Sequence, residues 1–326
     1  MADVIRWGIL GAGNIARKFV AGVEQTDTGR VVAVGSRSPE RAEQFGEEFS
    51  LPARHGSYEE LVADETVDAI YIATRHPSHA ETALLAIEAG KHVLIEKPFA
   101  VTAAEAEQVI TAARSAGVFC MEAMWSRFAP PFVKLRELIA DGALGEIRQV
   151  HAHFGFRSGW DPDSRLLNPH HAGGALLDVG VYPVSLASML LGVPEAIHAS
   201  AAIGETGVDE QTTMLLAYPT GASALLSCAV RTNTPKTITV CGTEAMVTID
   251  NAWWGDRGLT FHANGEEEHF ELPREGNGYN YEADHVAACL AENLTESPVM
   301  GLDETLAIMR TLDEVRRQIG LRYPFE

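Results

Sequence analysis

Two short motifs place proton-carrying side chains at spacings that suit acid–base chemistry. Asp178 and Tyr182 are four residues apart in an apolar stretch, so a helix would present both on one face. Lys97, in the tripeptide Glu96-Lys97-Pro98, is the third candidate, because a nearby ammonium favours the phenolate form of a tyrosine. Together the three side chains predict a site that moves a proton to or from a bound molecule.

A structural interpretation of the same residues stays open. Tyr182 can be a core aromatic residue, and Asp178 can be a buried hydrogen-bonding group, since a carboxylate among apolar neighbours is costly unless it is paired. Taken alone, the Asp178–Tyr182 pair favours that interpretation. Lys97 reverses the preference because it follows a predicted strand, and ligands bind at the carboxyl ends of the strands in parallel sheets.

A glycine-rich loop, Gly11-Ala12-Gly13-Asn14-Ile15-Ala16, lies between an apolar run and an amphipathic one. Gly11 permits a tight turn, Gly13 lets the backbone approach a pyrophosphate, and Ala16 lets a helix pack close to a strand. The helix that opens at Asn14 and Ile15 adds backbone N–H groups and a partial positive charge. The loop predicts dinucleotide binding; a purely structural turn is the alternative.

The residues after the second predicted strand indicate which dinucleotide is bound. NAD enzymes usually carry an acidic residue there for the ribose hydroxyls. This chain has Ser36 and Arg37 at that point, with Arg41 one turn into the next helix. A hydroxyl and guanidinium groups would hold a 2′-phosphate, so we expect NADP. The alternative is that Arg37 and Arg41 are ordinary solvated charges.

The elements that must position these groups follow two patterns. The predicted strands are Val4–Leu10, Arg30–Gly35, Val67–Ala73, His92–Ile95 and Val118–Met121, and the predicted helices are Asn14–Glu24, Glu40–Phe49, Ser78–Ala89 and Ala103–Ala116. Near-continuous apolar strands that alternate with amphipathic helices indicate an α/β Rossmann domain, with a doubly wound parallel sheet, over residues 1–125.

Residues 126–326 have a different pattern. A helix over Phe132–Ala140, an alternating strand over Ile147–Phe156 and a helix over Gly174–Leu191 precede a run of strands from Ile197 to Phe270. Two helices, Tyr281–Asn293 and Asp303–Ile319, end the chain. We therefore expect an α+β C-terminal domain with an open, mostly antiparallel sheet.

Bulk composition excludes several partners. The formal net charge of -20 repels nucleic acid and anionic membrane surfaces, and no apolar run looks long enough for a membrane span. The four cysteines form no CxxC pair and no secretion signal is visible, so we expect reduced thiols in the cytoplasm. His151, His153 and the adjacent pair His170-His171 lack further ligands at zinc-site spacing, so no metal is expected.

The combined motifs resemble the glucose–fructose oxidoreductase/inositol dehydrogenase/MocA family along essentially the whole chain. They are Gly11-x-Gly13-x-x-Ala16, Ala73-Thr74-x-x-x-x-His79, Ala89-Gly90-Lys91-His92-Val93-Leu94-x-Glu96-Lys97-Pro98 and Gly173-Gly174-x-x-x-Asp178-x-Gly180-x-Tyr182. Met121 to Phe128, Gly145-Glu146-Ile147 and Gly207-Val208-Asp209 are similar to its dimeric dihydrodiol dehydrogenase branch, also described as NADP-dependent D-xylose dehydrogenase. Tyr182 stands where many members have histidine, which favours this branch over inositol dehydrogenases.

This resemblance implies hydride transfer to NADP from a secondary alcohol or a sugar carbinol. Tyr182 is then the proton acceptor, Lys97 positions the substrate hydroxyl, and Asp178 helps to hold the substrate. The further cofactor contacts implied are Thr74, His79 and Glu96, and the further substrate contacts are Trp125, Arg127, Phe154 and Trp254. Trp160 and Tyr279 are further aromatic candidates for the pocket; for all of these aromatic residues, core or interface packing is the alternative. The family also implies a homodimer formed through the open face of the second sheet.

Three functional hypotheses follow. The first is an NADP-dependent sugar or dihydrodiol dehydrogenase, and the second is an NADPH-dependent reductase of a keto sugar or dicarbonyl. The same site serves both directions, so the sequence does not separate them. The third is an NADP-binding sensor without catalysis, which the combination of Lys97, Asp178 and Tyr182 disfavours.

Overall fold

A computed structural model describes residues 4–250, 252–255 and 258–326. The chain divides into two compact units. The first contains the described residues up to Phe128 together with Glu275–Leu306, and the second contains Ala129–Arg274 and Ala307–Glu326.

The first unit contains a parallel sheet. Its strands are β1 (Ile5–Leu10), β2 (Gly29–Gly35), β3 (Ala53–His55), β4 (Ala69–Ile72), β5 (His92–Glu96) and β6 (Cys120–Ala123), and its helices include α1 (Asn14–Val23), α2 (Pro39–Glu48), α3 (Tyr58–Val62), α4 (His79–Glu88) and α5 (Ala103–Ala116). The strand order is β3-β2-β1-β4-β5-β6, with every neighbouring pair parallel. This is the doubly wound order of dinucleotide-binding sheets, as predicted.

Local sequence explains why these elements begin and end where they do. The β4 segment is buried at every position, as expected for a strand covered on both faces. At α5, the Thr102 hydroxyl accepts from the Glu105 N–H while the Glu105 carboxylate accepts from the Thr102 N–H, and the helix ends at Gly117. The short elements β3 and α3 were not predicted, because three and five residues are too few to show a period.

The second unit contains a larger, mostly antiparallel sheet. Its elements are α6 (Pro130–Ala140), β7 (Ile147–Gly155), α7 (Val181–Leu191), β8 (Ala196–Ile203), β9 (Asp209–Ala217), β10 (Ser223–Ala229), β11 (Ile238–Gly242), β12 (Met246–Ile249), β13 (Gly258–Ala263) and β14 (Glu266–Glu271). The strand order is β14-β13-β12-β11-β7-β10-β9-β8, and β7 and β10 are its parallel pair. The predicted α+β class with an open, mostly antiparallel sheet is confirmed.

One segment lies in a different unit from the one that its place in the sequence suggested. Helix α8 (Tyr279–Ala291) packs against α1 in the first unit, and the Thr28 hydroxyl donates to the Asp284 carboxylate. The sequence had assigned all of 126–326 to the second domain. Helix α9 (Leu302–Ile319) begins in the first unit and ends in the second.

The helical stretch Pro169–Leu191 contradicts the expectation that no apolar run is long enough for a membrane span. It has 23 residues, and an 18-residue window within it has a mean hydropathy of 1.6, which would suffice by length and composition. Within the second unit, 78% of its most apolar window is buried, as in the core helix of a globular domain. In the sequence, the charged Asp178 and several small residues interrupt the apolar pattern, so this stretch was not recognised as a long apolar run.

Candidate active site

The glycine loop has the geometry that its residue types predict. Gly11 has φ +108°, and a Cβ there would lie 2.8 Å from the Ala73 carbonyl oxygen. Only glycine fits that position without strain. A Cβ on Gly13 would meet nothing closer than 3.9 Å, so the space beside this backbone is open. Ala16 is completely buried, so α1 packs closely against the sheet.

The amino terminus of α1 is suited to an anion. Gly13 is the residue before the helix, and no side chain caps it. Asn14 is exposed and Ile15 is partly exposed. Backbone N–H groups at such a terminus attract phosphate. The loop therefore fits the pyrophosphate of a dinucleotide, through Gly13, Asn14 and Ile15.

The carboxyl end of β2 bears the residues predicted to select NADP. The buried Ser36 hydroxyl accepts from the Ser38 N–H at 3.3 Å. The Arg41 guanidinium reaches back to the carbonyl oxygen of Ala12 in the glycine loop, with Nη2 3.2 Å away. Arg37 is exposed, and its guanidinium lies 6.0 Å from the centre of the Tyr58 ring. Arg41 thus contacts the loop, and Ser36 directly follows β2.

The His79 ring connects the segments that follow the neighbouring strands β4 and β5. Burial lowers the pKa of His79 to about 4, so the ring is neutral near pH 7. Its Nδ1 lies 2.8 Å from the Pro98 carbonyl oxygen, and Nε2 lies 3.2 Å from the Thr74 carbonyl oxygen. A neutral imidazole carries one N–H, so only one of these two carbonyl oxygens accepts a hydrogen bond from the ring at a time. These contacts give His79 a structural role; Thr74 remains partly exposed at the end of β4.

The Glu96 carboxylate forms a hydrogen bond with the backbone of the next residue, Lys97. The Lys97 N–H donates to Glu96 Oε2 at 3.1 Å, and the Tyr71 hydroxyl donates to Glu96 Oε1. Burial, with the Glu96 charge as a second cause, raises the pKa of Tyr71 well above its usual value, so Tyr71 stays a donor. Lys97 itself is partly exposed. Tyr71 was not predicted as part of the site, because it lies within an apolar strand and belongs to no recognisable motif.

In the second unit, Asp178 and Tyr182 come from a helix whose first turn is wider than an α-turn. Leu176–Gly180 forms a π-helical turn that continues into α7. Such turns occur often at functional sites. Both side chains are almost fully buried, and the Arg165 guanidinium donates to Asp178 Oδ1 from 2.7 Å. The sequence did not single out Arg165, because it lies in an irregular segment without a period.

Aromatic rings surround Tyr182 within the same unit. The Phe154 ring centre lies 5.2 Å from that of Tyr182, and Trp254 stacks on Phe154 at 3.5 Å with the planes 3° apart. The completely buried Trp253 lies on another side of Phe154. The structure thus brings together three residues predicted from the sequence, namely Phe154, Tyr182 and Trp254. Asp256 and Arg257, which follow Trp254 closely in the sequence, lie outside the described residues.

Trp125 and Arg127 have partners in the first unit. Trp125 stacks on Tyr279 with ring centres 5.0 Å apart. The buried Arg127 forms two hydrogen bonds with the Glu304 carboxylate, at 2.8 and 2.7 Å, and one with the Val299 carbonyl oxygen. An arginine fork bound to a carboxylate is a strong structural pair. These contacts account for the burial of Arg127 without a substrate, so we leave it out of the proposed substrate site.

Asp209 anchors the start of the helical segment that bears Asp178 and Tyr182. Its Oδ2 accepts from the Leu176 N–H at 2.8 Å and from the Thr212 hydroxyl at 2.7 Å. Burial raises the pKa of Asp209 to about 7. Its place in the sequence, far from Leu176, gave no sign of this role.

Histidines form no evident metal centre in the described part of the chain. There, no group of three or more His, Cys, Asp or Glu side chains is arranged to hold an ion. His153 Nδ1 instead contacts the Ser227 hydroxyl at 2.9 Å, and His151 Nε2 lies 3.2 Å from Gln149 Oε1.

Known proteins resemble this chain over nearly its whole length. The trans-1,2-dihydrobenzene-1,2-diol dehydrogenase of Mus musculus is 42% identical over 332 residues, with 98% of each chain covered. The enzyme of that name from Homo sapiens is 39% identical over 332 residues, again with 98% of each chain covered.

Solved structures give the same result. An aldose-aldose oxidoreductase from Caulobacter crescentus, complexed with glycerol, superposes with a TM-score of 0.89 at 29% identity and 97% coverage of both chains. A 3-ketoreductase from Actinomadura kijaniata, in complex with NADP and TDP-benzene, has a TM-score of 0.84 at 26% identity, covering 97% of this chain and 98% of its own.

Family models match both parts of the chain. The model described as an oxidoreductase family with an NAD-binding Rossmann fold matches residues 5–124, and the GFO/IDH/MocA C-terminal domain matches residues 132–248. The chain belongs to the GFO/IDH/MocA family of oxidoreductases.

Proposed function

We propose that this chain is an NADP-dependent oxidoreductase that oxidises a carbinol group of a sugar or cyclic diol, such as D-xylose or a trans-dihydrodiol. The observation that carries the proposal is the Asp178–Tyr182 pair: Asp178 lies on a π-helical turn, and Tyr182 lies in the first turn of α7 beside Phe154, on which Trp254 stacks. An anion, a proton-carrying hydroxyl and flat apolar surfaces are what a polyol or diol ring requires.

The chain's own residues would divide the proton chemistry among them. We assign Lys97 and Tyr182 as the acid–base pair, with Tyr182 as the acceptor of the alcohol's hydroxyl proton, and Asp178 as the acceptor of a hydrogen bond from a substrate hydroxyl. Glu96 keeps the Lys97 backbone in place through the N–H contact at 3.1 Å. Bound NADP supplies the hydride acceptor.

NADP rather than NAD is supported by the end of β2. Ser36, Arg37 and Arg41 carry no negative charge there, and Arg41 already extends to the glycine loop. A guanidinium binds a phosphate with strong, charge-assisted hydrogen bonds. The 3-ketoreductase of Actinomadura kijaniata was solved in complex with NADP. Thr74 and the N–H groups of α1 would complete the cofactor contacts.

The name of that relative also favours a second candidate, reduction of a keto sugar with NADPH. The same groups serve this direction, with Tyr182 donating the proton that it accepts in the oxidation. Trp125, stacked on Tyr279 in the first unit, is a further aromatic surface that we propose for substrate contact.

We further propose a homodimer formed through the open face of the second sheet. Ile203, Leu215 and Leu225 are exposed by 45%, 43% and 41% on strands β8, β9 and β10. Leu215 and Leu225 are directly opposite each other in the β9–β10 register. An exposed apolar pair on an open sheet face supports an interface there. The four cysteines are free, which suits the reducing cytoplasm.

A substrate panel tests the proposal. Purified protein is mixed with aldoses, inositols and trans-dihydrodiols in the presence of NADP⁺ or NAD⁺, and NADPH or NADH formation is followed by absorbance; keto sugars with NADPH test the reverse direction. We expect turnover of an aldose or a dihydrodiol with NADP⁺. Binding of NADPH without turnover of any compound would favour the sensor hypothesis instead.

A further inference from the structure

Asp178 is almost completely buried, whereas the side chain that pairs with it lies largely in solvent. The relative exposure of the side chains is 5% for Asp178 and 60% for Arg165, and Arg165 Nη1 is 2.7 Å from Asp178 Oδ1. A carboxylate in such a place needs a partner to remain charged, since burial penalises the anion. A hydrogen bond from a guanidinium is the strong, charge-assisted kind.

The backbone around Arg165 is fixed to the segment that leads into the Asp178 turn. The carbonyl oxygen of the next residue, Leu166, accepts from the Gly174 N–H at 2.8 Å, and the Leu167 side chain is completely buried. On the other side, the Asn168 carbonyl oxygen accepts from the Gly173 N–H at 3.2 Å. Arg165 is therefore presented to Asp178 from a fixed position, and its exposure is not a sign of a loose loop.

We infer that Arg165 is a positioning residue for substrate binding: it holds the Asp178 carboxylate charged and oriented so that the anion can accept a hydrogen bond from a substrate hydroxyl. This rests on the proposed function. A carboxylate has about four lone-pair positions, so the bond from Arg165 does not by itself exclude a further bond from a substrate hydroxyl. Arg165 acts through Asp178 and needs no contact with the reacting atoms.

The first test replaces Arg165 by methionine, which keeps the length of the stem and removes the charge. We expect R165M to raise KM for the alcohol roughly tenfold or more, the loss of a hydrogen bond to a charged group, while kcat changes less and the Kd for NADPH stays the same. R165K restores one donor and should recover part of KM. R157M, at the exposed start of the same segment, is the control for loss of charge and should leave KM unchanged.

A double-mutant cycle separates a role through Asp178 from other effects. In a D178N background the R165M substitution should have almost no further effect on KM, because the carboxylate that it positions is gone. An equal effect of R165M in both backgrounds, or a KM identical to that of the wild type, would overturn the assignment, as would a KM defect that follows a lowered Tm.

Failure of the proposed function looks different from failure of this inference. If the wild type turns over none of the alcohols, the proposed function fails and this role fails with it. If the wild type is active and R165M has the same KM, the role of Arg165 alone is wrong.

Discussion

The Asp209 carboxylate caps the backbone N–H of Leu176 at 2.8 Å and so fixes the start of the turn that bears Asp178. D209A removes this acceptor and leaves buried donors without a partner, which should cost roughly 1–3 kcal/mol of unfolding free energy. Urea unfolding and Tm measure the loss. D209N should be milder, because an amide oxygen still accepts. A D209A protein as stable as the wild type would contradict the capping role.

Gly174 provides a test of the same anchor from the other side. Its φ is +119°, and a Cβ there would overlap Asp209 Oδ1. G174A should therefore lower stability by roughly 1–3 kcal/mol through backbone strain, and displacement of Asp209 should add to that. G207A is the matched control, since Gly207 also has a positive φ but a Cβ there would meet nothing within 4 Å. Equal Tm values for the two variants would argue against a contact with Asp209.

The two glycines of the dinucleotide loop should fail in different ways. G11A has both a positive φ and a Cβ 2.8 Å from the Ala73 carbonyl oxygen, so we expect lower stability. G13V fills open space beside the backbone, so its Tm should stay close to that of the wild type while the Kd for NADPH rises at least roughly tenfold. Calorimetry and NADPH fluorescence measure the two quantities. Unchanged NADPH binding by G13V would contradict the proposed pyrophosphate position.

Cofactor choice depends on the arginines after β2. R41A should weaken NADP binding roughly ten- to hundredfold, the value of a lost hydrogen bond to a charged group, and leave NAD binding nearly unchanged. R37A should shift the preference in the same direction. R30A removes an exposed arginine near the start of β2 and is the control. A parallel loss of NADP and NAD affinity in R41A would show a structural rather than a selective role.

Burial of Glu122 predicts a pH dependence of stability. Burial raises its pKa to about 7 from an ordinary 4.5. At a pH between these two values, Glu122 is therefore protonated in the folded chain and ionised in the unfolded chain. Its contribution is fully present below about pH 4.5 and is lost as the pH rises to about 7. As the pH rises from 4.5 to 7, the free energy of unfolding of E122Q should increase by about 3 kcal/mol relative to that of the wild type. A stability difference that does not change with pH would contradict this protonation.

A feature could be predicted from the sequence where its residues belong to a local pattern. Helix α5 was predicted over Ala103–Ala116 because it is long and ends at a glycine, and Gly11 was predicted by its place in a motif. The Arg165–Asp178 pair follows only from tertiary packing, since Arg165 lies in an irregular segment. Likewise, the π-helical turn does not show in a four-residue spacing that suits an α-helix equally well.

The packing position of α8 could not be predicted from the sequence for the same reason. Nothing near Tyr279 indicates that it stacks on Trp125, more than a hundred residues earlier in the chain. Apolar periodicity predicts that a helix is buried, and it does not say against which sheet.

The central claim, that Tyr182 transfers the substrate proton, is tested most directly by Y182F. The rate of NADPH formation at saturating alcohol is compared with that of the wild type, and NADPH binding is measured in parallel by fluorescence. We predict a loss of roughly 10²–10⁴ in rate with the same Kd for NADPH, the range for removal of a general acid–base group. A Y182F protein that forms NADPH at the rate of the wild type would contradict this account.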